Sequence, residues 1–140
     1  MTYEEWEMGV PIEIRSDSLW KMKAYRLSLF LADLAWEDAA NLLAEPRARS
    51  RADQLYRAAA NISSNFSESY SRGTGKGRAI FYEYATGSAR ETRDWYYKGR
   101  RVLSPEVVAH RLGLASTIIR LGLTMISHER RTNRRVSTPD

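Results

Sequence analysis

The sequence predicts an all-α protein: an antiparallel up-down four-helix bundle that assembles into a homo-oligomer. Three observations point there. Apolar residues recur at three- and four-residue steps through four long segments, which is the spacing that keeps them on one helical face. Short breaks separate the segments, at Pro46, at Gly73-Thr74-Gly75-Lys76-Gly77 and at Ser104-Pro105. The last segment is apolar on two faces, more than one bundle core can bury, so a further copy of the chain is expected to cover the surplus. At 140 residues the chain has the length of one domain,.

Residues 1–17 contain Gly9, Pro11 and five acids, with apolar residues in no helical register. They read as an irregular N-terminal arm whose Trp6, Met8, Val10 and Ile12 pack on a neighbour. The bundle domain then spans residues 18–131. Asp17 or Ser18 caps a first long helix, in which Trp20, Ala24, Leu27, Leu31, Leu34 and Leu42 keep a helical period to Ala44 before Pro46 ends it,. A second helix runs from about Arg47 to Arg72, with Leu55, Ala59, Ile62 and Phe66 as its stripe. The glycine run after it reads as a flexible connection. It does not fit a nucleotide-binding loop, since neither Ser nor Thr follows Lys76 and no strand precedes it.

A third helix is expected from Ala79 to Val102, with Phe81, Tyr84, Ala85, Ser88, Thr92, Trp95 and Val102 on one side. Ser104 then caps a fourth, Pro105 suits its first turn, and the helix extends to about Arg130. Leu114, Ile118, Leu121 and Met125 form its core stripe. Leu112, Ile119, Leu123 and Ile126 form the second stripe, assigned to an oligomer interface. Residues 132–140 read as a flexible basic tail.

Composition narrows the chemistry. There is no cysteine, hence no thiolate metal site, and the two histidines, His110 and His128, stand eighteen residues apart on one segment, too far to share a metal by local spacing. Glu106 and His110 are four apart with no twin elsewhere, which departs from the carboxylate-bridged metal bundles. No cofactor, metal or catalytic residue is expected, and the chain reads as a non-enzyme. It shows no secretion leader and no long apolar run, so a cytoplasmic location without membrane contact is expected.

Charge is more informative. The net charge is +5, and between Arg47 and Arg101 twelve bases face five acids, whereas residues 1–14 carry four acids and no base. A basic middle favours a polyanionic partner, because each phosphate neutralised releases counterions and guanidinium grips phosphate through two parallel hydrogen bonds. On the third helix Arg90, Arg93, Tyr97, Arg100 and Arg101 recur at helical steps, and Arg72, Lys76 and Arg78 lie at the turn before it. This set of eight is the expected nucleic-acid surface, with Tyr97 offering a ring for stacking.

The most distinctive text is the run from Gln54 to Tyr70, where Asn61, Ser63, Ser64, Asn65, Ser67 and Glu68 crowd around the apolar stripe although such residues are mediocre helix formers,. A second element follows: Phe81, Ala85, Gly87, Ser88 and Glu91. Together they resemble the signature of the 23S rRNA intervening-sequence protein family, over roughly Leu19 to Arg131. Ser69 stands where the family usually has Gly, and Asn61 where it usually has Ser. The resemblance implies a four-helix bundle. Through the related accessory variability determinant proteins of diversity-generating retroelements, it also implies a homo-oligomeric ring, a pentamer, with nucleic-acid binding and a reverse transcriptase partner.

Within these elements Asn65, Glu68, Ser88 and Glu91 read as architectural groups satisfied inside the packed helices. A carboxylate hydrolase built on Glu68 and Glu91 is the distant alternative. The function read from the sequence is therefore a non-catalytic, oligomeric, nucleic-acid-binding bundle, RNA before DNA, accessory to a reverse transcriptase or to ribosomal RNA. The competing reading is a scaffold that binds an acidic protein and no nucleic acid.

Overall fold

The computed structural model describes the backbone of residues 1–137 and the side chains of residues 1–132. Among the described residues the fold is all-α, with four long helices and two short ones: α1 (Tyr3–Met8), α2 (Ile12–Arg15), α3 (Lys23–Leu42), α4 (Arg49–Tyr70), α5 (Gly75–Lys98) and α6 (Pro105–Ser137). A 3-10 turn, Ser18–Lys21, leads into α3. The long helices pack in sequence order, α3 on α4, α4 on α5 and α5 on α6, and α6 returns against α3. No described helix is long and apolar enough to cross a membrane.

The start and stop signals act largely as their chemistry dictates. The Ser104 hydroxyl accepts from Val107 N at 3.2 Å and opens α6. Asp17 accepts from Leu19 N at 2.9 Å, but it caps the 3-10 turn, and α3 begins only at Lys23 without a side-chain cap. Thr74, an unanticipated cap, accepts from Gly77 N at 3.0 Å. That cap moves the start of α5 back to Gly75, so Gly75 and Gly77 lie inside a helix and not in a flexible connection. At Gly75 a Cβ would run into the Glu129 carboxylate, which would have to shift to admit one.

The signature stripe of α4 is core: Leu55, Ala59, Ile62 and Phe66 are fully buried. On α5 the buried face is Ala79, Tyr82, Ala85, Thr86, Ala89, Thr92 and Tyr96, one position round from the expected stripe. Tyr84 is 56% exposed, while Phe81, Ser88 and Trp95 are only half-buried. Small residues win the inward positions because α4 and α6 both press on α5, and alanines shorten the distance to each. The tightest point is Gly122 on α6, where a Cβ would collide with the buried Thr86 hydroxyl. Gly122→Ala is therefore expected to destabilise by about 1–3 kcal/mol in chemical denaturation, and adding Thr86→Ala should recover much of the loss.

Two more expectations need correction. The N-terminal arm is not irregular: Thr2 closes a reciprocal capping box with Glu5 on α1,. Trp6 and Val10 then form a second apolar cluster with Phe30 and Leu34 of α3. Trp6 and Val10 do pack on a neighbour, but Met8 and Ile12 are exposed. At the other end α6 continues to Ser137, past the expected stop near Arg130, so the start of the expected tail is helical; residues 138–140 lie outside the described residues.

Candidate nucleic-acid interface

The expected basic surface divides into two parts at opposite ends of α5. Arg78 and Arg93 are fifteen residues apart, about 22 Å along a helix. Near the start of α5 the bases are already engaged. Arg78 donates from Nε and Nη2 to the Glu129 carboxylate at 2.9 and 3.2 Å, and from Nη1 to Arg72 O at 3.3 Å. Glu129 holds the Arg78 guanidinium pKa above its ordinary value by accepting its hydrogen bonds. Arg72 is paired with Glu68, and its guanidinium lies 4.5 Å from the centre of the Phe81 ring. The neighbouring groove brings Lys76 and Arg130 together with Glu83 and Glu129, so its charge is balanced. Arg72 and Arg78 are thus structural partners of acids. They are not the free phosphate contacts their spacing suggested.

The far part of α5 is different. Arg90, Arg93, Tyr97, Leu112 and Ser116 line one open groove of about 450 Å3 between α5 and α6, and the one acid among its lining residues is Asp94. Asp94 is held by Lys98 at 2.7 Å. Arg93 is set in place by donating from Nη1 to Ser116 Oγ at 3.1 Å. The Arg100 guanidinium sits 4.1 Å from the Tyr97 ring centre and donates to Tyr97 O at 3.0 Å. Tyr97, 53% exposed, is therefore one layer of a cation-on-ring platform,. Arg101 is exposed in the connection that follows, around the end of α5.

The residues read as architectural are mostly outside the core, which corrects that reading. Glu68 and Glu91 are exposed, Glu91 accepting only from Trp95 Nε1 at 3.3 Å. Asn65 donates to Asn61 O at 2.9 Å, a local helix contact, and Ser88 is half-buried. The polar crowding of the α4 signature bonds within its own turns, at buried Ser63 as at exposed Ser64: each donates to Ala60 O. The proposed oligomer stripe also splits. Ile119 and Ile126 are buried within one chain and Leu112 is half-buried, leaving Leu123, 45% exposed, as the open member. α6 is buried on more than one face because it packs on α3 as well as α5.

What the sequence reading missed is a buried polar network that locks three helices together. Asp38 of α3 accepts from Tyr96 Oη at 2.6 Å and from Arg111 Nε at 2.7 Å. Arg111 Nη1 also lies 2.7 Å from His110 Nδ1. The sequence does carry a signal for it: Asp38 occupies the same face as Leu31, Ala35 and Leu42, all buried, so it was an acid in a core register. No described side chain leaves a buried polar atom without a partner, and no group of three His, Asp or Glu among the described residues has a metal-holding arrangement.

No curated protein and no solved structure matches the chain. One family model does, that of the 23S rRNA-intervening sequence protein, over residues 21–121. The match takes in α3, α4, α5 and the first half of α6, with the signature of α4 and the basic groove of α5 inside it. On that extent the chain belongs to the 23S rRNA-intervening sequence protein family.

Proposed function

We propose that this chain is a non-catalytic nucleic-acid-binding bundle with RNA as its partner, and that the strand lies along the groove of Arg90, Arg93, Tyr97 and Arg100. One observation carries this reading: Arg90, Arg93 and Tyr97 share a groove whose lone acid, Asp94, is already matched by Lys98. Guanidinium groups with no carboxylate in the way suit phosphate oxygens, and the Arg100–Tyr97 platform suits an unstacked base. The family's description names an insertion in ribosomal RNA, which supports an RNA link by association,.

In the same reading the four long helices run alternately up and down, and the chain self-assembles through Leu123, with a pentamer implied by the resemblance. A ring repeats one modest basic groove around an axis, so weak contacts act together. Light scattering at micromolar concentration should return a multiple of the 16.1 kDa chain mass; a monomer removes the ring from the account. Binding beside a reverse transcriptase belongs to the same set of expectations.

The direct test is purification from lysate at low salt, with and without nuclease treatment. Nucleic acid should co-elute from the untreated lysate and be displaced by salt, since the contacts are ionic. Protein free of nucleic acid in both preparations would pass the groove to an acidic protein partner.

A further inference from the structure

At the end of the helical core where the α3–α4 and α5–α6 connections meet, a cleft of about 410 Å3 is lined by Arg47, Arg51, Lys98 and Arg101, with Glu45 as the one acid in its wall. Two of these cations are already matched: Arg47 Nε lies 2.6 Å from Glu45 Oε1, and Lys98 Nζ lies 2.7 Å from Asp94 Oδ2. No carboxylate among the described residues is within ion-pair distance of Arg51 or Arg101. Two guanidinium charges thus remain uncompensated in the lining of one cavity, Arg51 from the first turn of α4 and Arg101 from the α5–α6 connection.

Trp95 fixes part of this wall without neutralising it. The Arg51 guanidinium sits 5.5 Å from its ring centre and Lys98 Nζ 4.8 Å. The start of α4 beside the cleft adds to the same potential: Ala48 supplies no side-chain cap, and the first turn holds no acid. A helix start ordinarily gathers carboxylates and repels arginines. Leu42, Ala48 and Val102 give the cavity an apolar side. Its size is that of a small ligand site, enough for one nucleotide.

A phosphodiester brings one negative charge, whereas a phosphate monoester brings nearly two, which matches the two free guanidinium groups. We propose that this cleft binds the terminal phosphate monoester of a nucleotide, held between Arg51 and Arg101 with its sugar or base against Leu42 and Val102. The ligand is either a phosphorylated strand end or a free mononucleotide. The site is separate from the α5–α6 groove and does not depend on it.

The test measures affinity of the full chain for one short RNA carrying a 5′-phosphate, a 3′-phosphate or neither, and for adenosine 5′-monophosphate alone. A terminal phosphate is expected to tighten strand binding by about tenfold, the scale of one charge-assisted bidentate contact. Arg51→Gln with Arg101→Gln should abolish that gain, and Arg93→Gln should retain it. Preference for the phosphorylated strand assigns the cleft to strand ends. Binding of the free mononucleotide alone upholds the cleft while removing the strand from the α5–α6 groove. Equal affinity for all three strands with no mononucleotide binding overturns the cleft and leaves the groove standing.

Discussion

Replacing Asp38 by Ala is expected to lower the stability of the protein by about 3–5 kcal/mol, the range seen when one partner of a buried ion pair is removed. Asp38 is 4% exposed and Tyr96 fully buried. Without the carboxylate, the Tyr96 hydroxyl and the Arg111 guanidinium lose their acceptor together, since both bond the same Oδ2. Asp38→Asn should cost less, because it keeps an acceptor oxygen but removes the charge facing Arg111. Replacing all three by apolar residues of similar volume should come closest to the native value, since no charge is then stranded. Urea denaturation of the four proteins orders them.

The same network makes the protein sensitive to alkali. Burial, then the charge of Asp38 and its hydrogen bond, push the Tyr96 pKa well above 10.0. A raised pKa means the folded chain keeps its proton while the unfolded chain releases it near the ordinary value. The contribution is therefore complete below pH 10 and lost as the pH climbs beyond it. Tyr96→Phe should flatten that part of the stability profile.

Trp6→Ala should cost a similar amount, about 3–5 kcal/mol for a large aromatic side chain, but by a different route. Trp6 is 7% exposed, its indole N–H donates to Asp33 Oδ2 at 2.7 Å, and its ring stacks on Trp20 with centres 6.1 Å apart. The cluster it anchors, with Val10, Phe30 and Leu34, is separate from the main core. The loss should therefore be local: α1 releases from α3, and cleavage by protease begins within residues 1–16 while α3–α6 persist. Limited proteolysis with mass spectrometry reads this directly. Cleavage spread evenly through the chain would mean the two clusters unfold as one.

The long helices were legible because their signals are local. The α4 stripe at steps of four and three, Pro105 behind its Ser104 cap and the break at Pro46 each act within one or two turns. The register of α5 was not, because Phe81 and Tyr84 look inward by hydrophobicity. They instead pair edge to face on the surface, 5.5 Å between ring centres, while Ala85 and Ala89 take the core. The choice depends on how closely neighbouring helices approach, and nothing local encodes that distance.

Charge pairing was equally hidden. Arg78 finds Glu129 fifty-one residues away, so its spacing with Arg72 and Lys76 says nothing about whether it is free. Arg90, Arg93 and Tyr97, by contrast, share a groove because three- and four-residue steps place side chains on one face wherever the helix is packed,. Ile119 and Ile126 looked like surplus surface because the return of α6 against α3 is a long-range contact.

The measurement that bears most directly on nucleic-acid binding through α5 is fluorescence anisotropy of labelled single-stranded RNA across a salt series. It is run on the native chain and on Arg93→Gln with Arg100→Gln. The native protein should bind at low salt, with log affinity falling by about 0.7 per phosphate contact for each unit of log salt. The double variant should bind more weakly with a shallower slope by roughly two such contacts, at unchanged oligomeric state. The same affinity and slope in both proteins, or no binding by the native chain at low salt, would contradict it.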